Sequence, residues 1–128
     1  MAVPRLSALL AVVLLLAGIA GCAAKKVYRE GTPAISGRAG ELIIVELPSN
    51  PTTGYSWMLV AQPDPTVATL MDTDYEVSPS STLGQGGGHQ RWTFRLVAAG
   101  STSITFGYGR TWENAPAQKA TTFTIAVR

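Results

Sequence analysis

From residue 34 onward apolar side chains recur at alternate positions in short runs, and clusters of Gly, Pro, Ser, Asn and Asp separate the runs. A period of two puts alternate side chains on one face of an extended strand, and no stretch here sustains the 3.6-residue period of a helix. Glu41 to Leu47 sets Ile43, Val45 and Leu47 on one face, and Tyr55 to Val60 sets Tyr55, Trp57 and Leu59 together. Trp92, Phe94 and Leu96 form a third such set, Ile104, Phe106 and Tyr108 a fourth, and Phe123, Ile125 and Val127 a fifth. Weaker strands are predicted at Ala34 to Ser36, Val67 to Leu70 and Tyr75 to Val77. The pattern predicts an all-β fold, an immunoglobulin-like β-sandwich of about seven strands whose loops gather at its two ends. Trp57 and Trp92 fall on core faces by their alternation, and the Cys-Trp-Cys framework of antibody domains is missing.

The 128 residues allow one domain of ordinary size. A formal charge of +2 is too small for an electrostatic nucleic-acid binder, and 46% hydrophobic residues is too many for a disordered tail. One cysteine and one histidine exclude an internal disulfide and supply too few ligands for a zinc site or a Cys/His catalytic pair. No metal, cofactor or nucleic acid is therefore expected. His89 stands beside a glycine cluster with no nucleophile assigned to it, so the chain is expected not to be an enzyme.

The beginning of the chain carries a different signal. Arg5 precedes an apolar run from Leu9 to Leu16, which gives way to the small residues Ala17, Gly18, Ala20 and Gly21. That is the order of a secretory signal peptide, and the run is shorter than the roughly 20 residues a membrane-spanning helix needs. Ile19-Ala20-Gly21-Cys22 resembles the bacterial lipobox. The resemblance implies that Cys22 becomes the first mature residue and is anchored through lipid; the alternative is an ordinary signal peptide cleaved near Ala23 or Ala24. The expected division is a signal peptide over residues 1–21, a lipid-anchored tether over 22–33 and a β-sandwich over 34–128. Ala23 after that cysteine resembles sorting to the outer membrane, so the bacterial envelope, at the outer membrane or a periplasmic face, is the expected location.

Three loops hold residues that shape backbone. Asn50 can bond its own backbone two residues on, Pro51 fixes φ, Gly54 can adopt positive φ, and Thr52 and Thr53 are presented outward before Tyr55. Turn chemistry alone makes this no more than a well-built turn. However, Asn50-Pro51-Thr52-Thr53-Gly54 followed by an aromatic residue resembles the signature of the chagasin-type inhibitors of papain-family peptidases. The same family carries Gly-x-Gly-Gly before a strand. Here Gly84-Gln85-Gly86-Gly87-Gly88 precedes the strand of Trp92, in a register that is either Gly84 to Gly87 or Gln85 to Gly88. The third family motif, Arg-Pro-Trp, corresponds to Arg110-Thr111-Trp112, with Thr111 in place of the proline.

The resemblance implies a reversible, non-covalent inhibitor that occludes the cleft of a papain-like cysteine peptidase with three loops from one end. Thr52 and Thr53 are then expected beside the catalytic pair, with the glycine loop and Arg110 and Trp112 on the flanks. Without its proline the third loop is expected to be less rigid. A monomer is implied, with the peptidase as partner and the membrane reached through Cys22. The competing reading is an envelope lipoprotein whose immunoglobulin-like module serves structural or adhesive binding.

Overall fold

A computed structural model describes residues 25–78, 87–113 and 116–128. Its strands are β1 (Lys26–Arg29), β2 (Ala34–Gly37), β3 (Leu42–Ser49), β4 (Tyr55–Ala61), β5 (Ala68–Val77), β6 (Gly88–Leu96), β7 (Gly100–Arg110) and β8 (Lys119–Val127). A single 3-10 turn over Pro51–Thr53 separates β3 from β4. One four-stranded sheet has the order β1-β3-β6-β5 and the other β2-β8-β7-β4. All neighbours are antiparallel except β1 on β3 and β2 on β8, which are parallel. The all-β sandwich is therefore as expected, with eight strands among the described residues.

The inner faces carry the predicted alternation. Ile43, Val45 and Leu47 of β3 face Phe106, Ile104, Phe123 and Ile125 of the opposite sheet in one buried cluster with Trp57, Trp92, Phe94 and Leu96. Trp92 and Phe106 meet across the sandwich with ring centroids 4.5 Å apart, and Phe106 meets Phe123 edge-on at 6.0 Å. Each fully buried side chain of this size contributes roughly 1.5 to 3 kcal/mol through removal of apolar surface from water, which makes this layer the main source of the domain's stability.

Three details differ from the expectation. Val67 to Leu70 and Tyr75 to Val77 are parts of one strand, because a bulge between Leu70 and Asp72 inserts Met71 and shifts the phase of alternation. The residues registered on Trp92 and its face of β6 thus change from Ala68 and Leu70 to Thr73, Tyr75 and Val77, the last three exposed, which breaks the period that alternation follows. Lys26–Arg29, in the segment read as a tether, forms β1 and pairs with Ile43 to Glu46 of β3. Its sequence, Lys-Val-Tyr-Arg, does not alternate apolar with polar residues. Finally, β6 starts at Gly88 and β7 runs to Arg110, so both reach residues assigned to loops.

Candidate functional site

In the first sheet Ser49, the last residue of β3, and Val77, the last of β5, both register on Gly88, the first residue of β6. In the second sheet Tyr55 opens β4 opposite Arg110, and Lys119 opens β8 opposite Tyr108. Because residues 50–54 join Ser49 to Tyr55 directly, the β3–β4, β5–β6 and β7–β8 connections leave the sandwich at one pole. The three loops singled out in the sequence are these three connections.

The first loop is held by its own polar groups. The Asn50 side-chain oxygen accepts the Thr52 backbone N–H at 3.2 Å and the Thr52 hydroxyl at 2.6 Å. Its backbone carbonyl accepts the Thr53 N–H at 3.2 Å and the Thr53 hydroxyl at 2.8 Å. The Thr53 hydroxyl in turn accepts the Tyr55 N–H at 3.3 Å. Thr52 and Thr53 are exposed with their hydroxyl protons directed into the loop, so the lone pairs of Thr52 are what an approaching donor meets. Gly54 closes the turn at φ +80°, a value that favours glycine. The Trp57 indole N–H donates to the Pro48 carbonyl at 2.9 Å and so ties the strands on either side of the loop.

The third loop packs on the first. The Trp112 indole lies over Gly54, where an added Cβ would come within 2.5 Å of the ring, yet Trp112 remains 69% exposed. Arg110, the last residue of β7, places its guanidinium 4.6 Å from the centre of the Tyr55 ring and donates to Glu113 at 3.0 Å. That hydrogen bond, and next electrostatic attraction to Tyr55, raise the Arg110 pKa above the usual arginine value. Thr111 occupies the second position of a turn closed by the Glu113 N–H on the Arg110 carbonyl at 3.2 Å. Proline is favoured at that position, and here the backbone bond and the Arg110–Glu113 pair close the turn without it. Gln118 donates to the Tyr55 hydroxyl at 2.9 Å, and Tyr55 stacks on Tyr108 at 5.6 Å. Tyr55 is thus the shared base of the first and third loops.

Of the second loop, Gly87 and Gly88 are placed, whereas Gly84, Gln85 and Gly86 lie outside the described residues, as does Cys22. The Gly87 carbonyl accepts the Ser78 N–H at 2.9 Å, which closes the base of the loop. Gly88 is buried beneath the Tyr75 phenol and the Glu76 carbonyl, so a side chain has no space there. His89 points to the outer face of the first sheet, 4.0 Å from Glu46. Glu113 and Gln118 were not anticipated; single polar residues in a loop carry no periodic or motif signal. No group of three or more potential metal-ligating side chains occurs among the described residues.

Gly54→Ala forces an L side chain into the left-handed region at a cost of about 1 to 2 kcal/mol and unseats the indole. Chemical denaturation checks the first effect. Iodide quenching checks the second, because Trp57 and Trp92 are buried and an increase reports Trp112.

The fold and site define a small β-sandwich that gathers three shaped loops at one pole. Residues 37–127 match the model of the chagasin family of peptidase inhibitors, family I42, and the chain belongs to that family. It is 30% identical over 93 residues to chagasin of Trypanosoma cruzi, covering 70% of this chain and 82% of that one. It is 30% identical over 90 residues to amoebiasin-2 of Entamoeba histolytica, covering 69% of this chain and 72% of the other. The crystal structure of a cysteine protease inhibitor from Entamoeba histolytica shares the fold, with a TM-score of 0.67 at 21% identity over 80% of this chain and 94% of that one. Membership of an inhibitor family agrees with the expectation that the chain is not an enzyme.

Proposed function

We propose that this protein inhibits papain-like cysteine peptidases reversibly and without covalent chemistry, by filling the active-site cleft with its loop-bearing pole. The observation that carries the reading is the internally bonded Asn50–Gly54 loop at the centre of that pole, braced by Tyr55 and Trp112. A papain-like enzyme attacks with a thiolate paired to an imidazolium in a groove. The 3-10 turn at Pro51–Thr53 does not offer the extended backbone such a groove cleaves, and the Thr52 hydroxyl presents an oxygen acceptor to its donors. Because the loop is already ordered, little conformational entropy is lost on binding. The glycine loop and Arg110, Thr111 and Trp112 then contact the cleft walls, with the protein acting as a monomer.

The reading extends to the cell envelope through Cys22, on the strength of the Ile19-Ala20-Gly21-Cys22 pattern. The course of β1 supports it. β1 runs parallel to β3, with Lys26 beside Ile43, so the chain enters the sandwich about 20 Å of strand away from Ser49 and the loops. A lipid anchor at that entry leaves the inhibitory pole facing away from the bilayer, toward a peptidase arriving from the aqueous side.

Steady-state inhibition of papain by soluble protein starting at Lys25 tests the function. The expected apparent inhibition constant rises linearly with substrate concentration, activity returns on dilution, and the inhibitor is recovered at full mass. Cleavage within residues 50–54, or several papain-like peptidases left fully active at micromolar inhibitor, overturns the reading.

A further inference from the structure

We infer that Gln90 is a positioning residue that fixes the β4 stem of the first loop relative to the second loop, whose β6 stem is already paired to β3, and that tight peptidase binding depends on it. The inference rests on the inhibitor reading above. β4 is the edge of the second sheet and shares no backbone ladder with β6, yet the two strands carry the loops that must enter one cleft together. Gln90 supplies the missing rung. Its side-chain oxygen accepts the Trp57 N–H at 2.7 Å, and its side-chain NH2 donates to the Trp57 carbonyl at 3.1 Å. One amide side chain thereby reproduces both hydrogen bonds that a neighbouring strand would make to that residue.

The placement of this rung matters more than its strength. Gln90 lies two residues after Gly88, where the glycine loop enters β6, and Trp57 lies two residues after Tyr55, where the first loop enters β4. Trp57 also holds Pro48 through its indole, so the Gln90 amide, the Trp57 backbone and the Pro48 carbonyl form a bridge from the second loop to both stems of the first. On the other side, the Tyr75 phenol covers Gly88 and fixes the entry of β6. The Tyr55–Gln118 bond and the Arg110–Tyr55 contact tie the third loop to the first. Between β6 and β4, among the described residues, the Gln90 amide is the side-chain hydrogen-bond link close to the pole. Removing it leaves β3 paired to β6 as far as Ser49 and Gly88 but frees the β4 stem of the first loop to shift, which lowers the population with the two stems of that loop in register for one cleft.

The test compares the wild type, Gln90→Met and Ile125→Val. Methionine fills similar volume without the amide, and Ile125 is buried near the opposite pole, where it registers on Thr102. Melting temperatures confirm that all three are folded, and dissociation rates from papain are measured well below them. Gln90→Met is expected to dissociate at least tenfold faster, with a faster-exchanging Trp57 amide, while Ile125→Val dissociates within about twofold of the wild type because distant substitutions act independently. A wild type that binds tightly beside a Gln90→Met variant with unchanged dissociation overturns this inference alone. A wild type that leaves papain untouched overturns the inhibitor reading and this inference with it.

Discussion

Phe106→Ala is expected to lower the unfolding free energy by about 3 to 5 kcal/mol. Phe106 is completely buried and touches both Trp92 of the facing sheet and Phe123 of its own sheet. Removing the ring takes away its transfer free energy and leaves a cavity between two sheets whose backbones are fixed by their ladders and cannot close onto it. Urea denaturation followed by circular dichroism measures the effect. A loss below about 1 kcal/mol would mean that the aromatic layer repacks freely and that the core is not the rigid platform described for the loops.

Trp112→Ala has the opposite signature. The side chain is 69% exposed and rests on Gly54, so its removal changes stability by no more than about 0.5 kcal/mol. Binding is expected to weaken by about 2 kcal/mol or more, roughly thirtyfold, because an exposed tryptophan on a preordered loop is the kind of side chain that dominates protein interfaces. The indole is rigid, presents a flat apolar face and already has its seat, so little ordering cost offsets the contact. Inhibition titrations of papain with the wild type and the variant measure the difference. An unchanged constant removes Trp112 from the contact surface.

Much of this was legible in the chain. The alternation of Ile43, Val45 and Leu47, or of Phe123, Ile125 and Val127, predicts both the strand and its buried face, since the sandwich buries that face of these two strands almost completely. The turn role of Asn50 and the positive φ of Gly54 followed from side-chain chemistry alone and are observed. What escaped depends on pairing across the sequence. The bulge at Met71 inverts the alternation of β5 midway, and nothing local marks it as one strand. β1 reads Lys-Val-Tyr-Arg with no alternation, and it is placed by pairing with its parallel neighbour β3. Gln90 carries no motif or periodic signal in the sequence. Its significance appears only once the sandwich brings Trp57, 33 positions away in sequence, to its amide. Likewise Gln118 becomes a support for the first loop only when β8 lies beside β7 and so near Tyr55.

The central claim is that the Asn50–Gly54 loop enters the cleft of a papain-like peptidase. The most direct test is the inhibition constant for papain of the soluble domain measured beside a Thr52→Ala, Thr53→Ala double variant that unfolds at a similar denaturant concentration. Both hydroxyls order the loop, and both are exposed at its tip. The account predicts tight inhibition by the wild type and a loss of at least tenfold in the variant, about 1.4 kcal/mol or more. Equal inhibition by the two proteins would contradict it, because the peptidase would then be held by some other part of the domain.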